Sequence, residues 1–170
     1  MGAYRNAVAL RPGSLAAVSN ATEFESPKKR LEYIFAETSR GNGQPFLDAL
    51  ADDAEWTIIG STGWSKTYRG KDQILNDLIA PLRRVLAPPR KSHALHMIAE
   101  GNMVAVQGQV ENITRDGRKY ENTYCWVFAF RDGRVTAVTE YADTELMRSV
   151  LGEPPQHRGA QAFTSVETQQ

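Results

Sequence analysis

A chain of 170 residues, 41% hydrophobic and 24% charged, is long enough to bury a core without disulfide or metal support. Its 20 basic and 20 acidic side chains cancel to zero formal charge, which leaves no electrostatic footprint for nucleic acid or an anionic membrane surface. The lone cysteine, Cys125, excludes an intrachain disulfide framework and a thiolate-rich zinc site, and it fits a cytoplasmic setting.

Residues 1–25 lack sustained periodicity, and Arg11-Pro12-Gly13 interrupts their apolar stretch, so they read as a disordered tail rather than a secretory leader, the alternative being a transit peptide, since the stretch before Glu23 is acid-free and carries Arg5 and Arg11. Ser26-Pro27 then marks a helix start, with Leu31, Ile34, Phe35 and Thr38 at helical spacing up to Gly41. A short second helix is expected around Pro45 to Leu50, and a strand from Ala54 to Ile59. Ile74, Leu75, Leu78, Ile79 and Leu82 mark a third helix over Lys71 to Leu86, closed by Pro88-Pro89. Trp64, Lys66 and Tyr68 fall in the loop before it, where they would either cap a pocket entrance or pack locally.

From Lys91 the pattern changes to strands: His93 to Ala99, Val104 to Thr114, Tyr120 to Phe130 and Val135 to Tyr141, with hairpin signals at Asp116-Gly117 and Asp132-Gly133. Helices followed by an antiparallel meander predict an α+β domain over 26–151, a sheet curled around helices with a pocket in its mouth. Residues 152–170, opening on Pro154-Pro155, read as a second disordered tail. No apolar run reaches the length of a membrane span.

The sequence holds no phosphate loop, nucleophile elbow or metalloprotease helix. His93 and His96, three apart on a strand, are expected on opposite faces, so neither a metal nor a cofactor is expected. Alternation sets Val104, Val106, Gly108 and Val110 on one face of their strand, and Gln107, Gln109, Glu111 and Ile113 on the other. That second, polar face is either solvated or a cavity lining. Tyr120, Asn122, Tyr124, Trp126, Phe128 and Phe130 share a face of the next strand, an aromatic stripe with a few oriented polar groups that suits a pocket for a small apolar molecule. Glu140 shares a face with Val138 on the last strand, with Asp143 in the turn beyond.

The tyrosine-bearing first helix, Asp52-Asp53-Ala54-Glu55-Trp56, and the ending Phe128-Ala129-Phe130-Arg131-Asp132-Gly133-Arg134-Val135 into Glu140-Tyr141-Ala142-Asp143 resemble the SnoaL-like members of the nuclear transport factor two superfamily. The resemblance implies a cone-shaped, cystatin-like α+β barrel and a homodimer. Within the superfamily the strand pattern is most similar to that of limonene epoxide hydrolases, which use an Asp, Arg, Asp trio. By that resemblance Glu140 matches the base, Glu111 the proton donor and Gln109 the arginine, while Trp56 and Ile58 match the residues that help hold the water. By resemblance to ketosteroid isomerases, Tyr33 matches a helix-one tyrosine. The expectation is carboxylate acid/base chemistry on an apolar substrate by hydration, isomerisation or cyclisation, with Glu140 as base, Glu111 as acid and Gln109 between them. Tyr33, Trp56, Ile58, Asn122, Tyr124 and Trp126 would contact the substrate. The alternative is a non-catalytic ligand-binding or dimerising module.

Overall fold

The computed structural model describes residues 24–155; the tails expected at 1–25 and 152–170 lie outside that range except for 24–25 and 152–155. The Ser26 side chain accepts from the Lys29 N–H, satisfying one of the unpaired donors at the start of helix α1 (Pro27–Thr38). Leu31, Ile34 and Phe35 fall on its buried face. Helix α2 (Gln44–Ala49) leads directly into strand β1 (Leu50–Ile58), and a short strand β2 (Thr67–Arg69) pairs with β1. Trp64, between these two strands, and Tyr68, on β2 itself, are held in place and do not form a free lid. Trp64 and Tyr68 are buried, the Trp64 indole N–H donates to the Gly152 carbonyl at 2.7 Å, and the Tyr68 hydroxyl donates to the Trp64 carbonyl at 3.0 Å.

Helix α3 (Lys71–Gln73), a π-helical stretch (Ile74–Ile79) and α4 (Ala80–Val85) follow without a break, where one regular helix was expected. The wider winding lies just before Pro81, which has no N–H for the regular ladder, and the Ala80 N–H reaches back five residues to the Leu75 carbonyl. Strands β3 (Lys91–Glu100), β4 (Met103–Ile113), β5 (Lys119–Arg131) and β6 (Arg134–Ala142) form the expected meander. At the β5–β6 turn Asp132 and Gly133 both take positive φ, 51° and 72°, as a tight hairpin requires. Helix α5 (Thr144–Leu151), capped by the Asp143 side chain, was not expected from the sequence.

The six strands run in the order β2-β1-β6-β5-β4-β3. The chain is thus the α+β fold expected, with a curved sheet and helices, but the sheet is mixed and open rather than wholly antiparallel and closed. Strands β1 and β6 are parallel because the whole of α3 to β5 intervenes between them, and the end strands β2 and β3 are not paired to each other. The inner face carries the aromatic stripe of β5 and the valines of β4, all buried. Arg30, buried on α1, donates to the Gly133 carbonyl and ties the helix to the β5–β6 turn. A bulge between Ala94 and His96 interrupts alternation on β3, so that His93 and His96 register with Gln109 and Gln107, two residues apart on β4. Among the described residues, no helix is long and apolar enough to cross a membrane.

Candidate functional site

Strand register assembles the site. Trp126 on β5 is the cross-strand partner of Glu140 on β6, and Glu140 is the partner of Ile58 on β1, so three residues from adjacent strands form one row. Trp56 lies two residues before Ile58 and therefore shares its face. The row opens into a cavity of about 220 Å³ between the sheet and the helices. Its walls are mostly aromatic and aliphatic: Phe35 from α1, Phe46 from α2, Leu78 and Leu82 from the helical run, and Phe128 from β5. The volume exceeds that of an apolar cavity able to hold benzene, about 150 Å³, and suits a ligand of one or two rings.

Glu140 is the one carboxylate among the lining residues, and only 7% of it is exposed. The indole N–H groups of Trp56 and Trp126 both donate to Glu140 Oε2, each at 3.1 Å. Among the described residues Oε1 accepts no hydrogen bond and is left for whatever occupies the cavity. Burial disfavours the anion and pushes the Glu140 pKa up to about 7, against the lowering effect of the two indole donors. A carboxyl poised there exchanges its proton readily near neutrality.

A second polar group shares the cavity. The Tyr120 and Tyr124 hydroxyls are 2.6 Å apart, and Asn122 Nδ2 donates to the Tyr120 oxygen at 3.0 Å. The Asn122 amide is itself fixed by the Asp143 backbone, whose carbonyl accepts from Nδ2 at 3.0 Å and whose N–H donates to Oδ1 at 3.3 Å. Burial pushes the Tyr120 pKa up to about 12 and Tyr124 well above its ordinary value, with the Glu140 charge adding to both, so each hydroxyl keeps its proton at neutral pH.

Of the residues singled out in the sequence, Glu140, Trp56, Ile58, Tyr124 and Trp126 line this cavity, as do Trp64 and, from the aromatic stripe, Tyr120 and Phe128. Asn122 is buried but acts one layer behind, on Tyr120. Glu111 and Gln109 do not join them. Val110 and Asn112 point inward on β4, so the residues between and before them point outward. The Glu111 side chain is 54% exposed, and its Oε2 lies 3.7 Å from His93 Nε2. The expected carboxylate pair, and an amide linking its members, are therefore not formed. Tyr33 is also outside: two residues from Leu31, it lies about 200° around α1 from the buried face, is 47% exposed and packs on Phe24. The cavity also recruits residues that the sequence did not place at a pocket: Asn112 from β4, Arg90, and Arg83, which with Arg84 reads from the sequence as a solvated helix-end pair. Asn112 continues the parity of Val104 to Val110, which was the available signal for it.

The SnoaL-like domain model matches residues 31–138, more than half of the chain. The chain belongs to the SnoaL-like family. No curated protein matches it in sequence. Among solved structures, this SnoaL-like chain is similar to an NTF2-like protein of unknown function from Burkholderia pseudomallei (TM-score 0.65, 21% identity, 75% of this chain and 98% of that one covered). It is also similar to a candidate isomerase from Bacillus subtilis (TM-score 0.63, 20% identity, 77% and 96% covered) and to a candidate SnoaL-like polyketide cyclase from Jannaschia sp. (TM-score 0.59, 12% identity, 84% and 99% covered). At these identities the likenesses establish the fold.

Proposed function

We propose that this SnoaL-like chain is a small-molecule isomerase or cyclase that works by proton transfer through Glu140 alone. The observation that supports it is a single carboxyl with a pKa of about 7, oriented by two indole donors on one oxygen and open to an apolar cavity on the other. Epoxide hydration by a pair of carboxylates has no second carboxylate to draw on among the lining residues. A one-base proton shuttle needs none, and it needs no cofactor.

In this reading an enolisable ketone sits against the aromatic wall with its α-carbon at Glu140 Oε1. The carboxylate takes the α-proton, the C–H electron pair passes into the carbonyl, and the enolate oxygen accepts a hydrogen bond from the Tyr120–Tyr124 hydroxyl pair. The protonated Glu140 then returns its proton to another carbon, or to the oxygen formed when the enolate closes a ring by adding to a second carbonyl. Candidate functions of an isomerase and a polyketide cyclase among the structural neighbours accord with this chemistry. The exposed apolar side chains Ile98, Met103 and Tyr141 on the strands support a second copy of the chain as partner.

The test is deuterium exchange: a panel of one- and two-ring β,γ-unsaturated and 1,3-dicarbonyl ketones is incubated in heavy water with the protein and with Glu140→Gln. The reading predicts incorporation next to the carbonyl of at least one ketone, lowered by on the order of 10² to 10⁴ in the variant. No incorporation, or incorporation unchanged in Glu140→Gln, would leave the non-catalytic binding module as the account of the cavity.

A further inference from the structure

The cavity is not apolar throughout. Arg83, exposed, and Arg90, half-buried, are among its lining residues, so they stand where it meets solvent. Arg90 directly precedes β3, and the first N–H of that strand, from Lys91, donates to Asn112 Oδ1 at 2.8 Å. The arginine end of the cavity therefore adjoins Asn112, whose partner on β5 is Tyr120. Trp126, beside Glu140, lies six residues further along β5, about 20 Å of extended backbone. Glu140 and the arginines thus line different parts of the cavity wall.

Three guanidinium groups gather there. The Arg115 Nε and Nη2 donate to the Arg83 carbonyl at 3.3 and 3.1 Å, and Arg90 Nη1 reaches the Leu86 carbonyl at 3.4 Å. Those carbonyls belong to the end of α4, and binding them accounts for part of the arrangement as a helix cap. A carbonyl carries no net charge, however, and no carboxylate among the described residues pairs with Arg83, Arg90 or Arg115. Burial lowers the Arg90 pKa, and the nearby Arg83 and Arg115 charges add to the effect. Asn112 adds a neutral donor: it is 93% buried, its orientation is set by the Lys91 N–H on Oδ1, and its Nδ2 is without a partner.

We propose that Arg83, Arg90 and Asn112 form an anion subsite at the cavity mouth, taking the carboxylate of an amphipathic ligand whose apolar body extends along the aromatic wall toward Glu140. A planar carboxylate satisfies guanidinium and amide donors together and supplies the missing negative charge. The inference rests on the proposed function only in taking this cavity as the substrate site.

Binding is read without turnover, through the fluorescence of the three cavity-lining tryptophans, Trp56, Trp64 and Trp126, using 4-phenylbutanoate and its uncharged counterpart 4-phenyl-1-butanol. The acid is expected to bind at least tenfold more tightly at low salt, with the advantage shrinking as salt is added. In Arg83→Gln/Arg90→Gln the acid is expected to lose that advantage while the alcohol binds as before; Arg83→Gln alone, at an exposed position, is expected to lose part of it. No binding of the acid, equal affinities for the two probes, or an acid preference that survives in the double variant overturns the proposal. A silent ketone panel leaves this result standing, so the two readings fail separately.

Discussion

Trp126 lies directly across the β5–β6 pair from Glu140, and its indole N–H meets the same carboxyl oxygen as that of Trp56. Both donors favour the ionised carboxylate and work against the burial that raises its pKa. A hydrogen bond to a charged group contributes about 1.5 to 3 kcal/mol, and roughly 1.4 kcal/mol corresponds to one pH unit. Replacing Trp56 or Trp126 by phenylalanine should therefore move the acidic limb of the pH–rate profile, where activity is lost as Glu140 takes up its proton, up from about 7 by on the order of one unit. Trp56→Phe, at the half-buried position, separates this effect from core damage; a profile that stays in place would show that the indoles do not tune the carboxyl.

The same raised pKa sets a pH dependence of stability. Between 4.5, the ordinary glutamate value, and about 7, the folded chain holds a proton on Glu140 that the unfolded chain has released. Stability from this group is full below 4.5, falls as pH rises to 7, and is level above, a loss of about 3 kcal/mol in all. Urea unfolding at pH 5 and pH 8 should show Glu140→Gln free of that component, gaining relative to the parent protein at pH 8. Parallel losses in both proteins would assign the slope to other groups.

Glu111 is predicted to be dispensable. It is on the outer face and largely solvated, so Glu111→Gln should change stability by less than about 0.5 kcal/mol and leave turnover of any substrate within about twofold. A loss comparable with that of Glu140→Gln would restore a two-carboxylate mechanism.

Much of this arrangement was legible. The parity that placed Val104 to Val110 on one face of β4 already put Glu111 with Gln107 and Gln109 on the other, and the stripe from Tyr120 to Phe130 is the inner wall of the cavity. What misled was the matching of Glu111 to a catalytic position by resemblance, which overrode that parity; the inward position beside it belongs to Asn112. Helix α5 was missed because its eight residues offer little periodicity, although Asp143 stood ready as its cap. Arg83 and Arg90 lie outside the strands, where alternation could not assign them to the cavity.

Gly108 shows how tightly the wall behind Glu140 is built. A Cβ there would sit 2.8 Å from the Trp126 ring and 2.3 Å from the His93 carbonyl oxygen, and the latter is backbone that cannot swing aside. Gly108→Ala should destabilise the protein by about 1 to 3 kcal/mol in urea unfolding and blue- or red-shift the Trp126 fluorescence. An unperturbed variant would mean that β3 and Trp126 yield more easily than the packing implies.

The central claim is that one cavity-facing carboxyl holds its proton up to neutrality. Carbon-13 NMR titration of the glutamate side-chain carboxyls, with the Glu140 signal identified by its loss in Glu140→Gln, measures this directly. The account predicts a midpoint near pH 7 for Glu140. A midpoint close to 4.5, the value of an ordinary solvated glutamate, would contradict it.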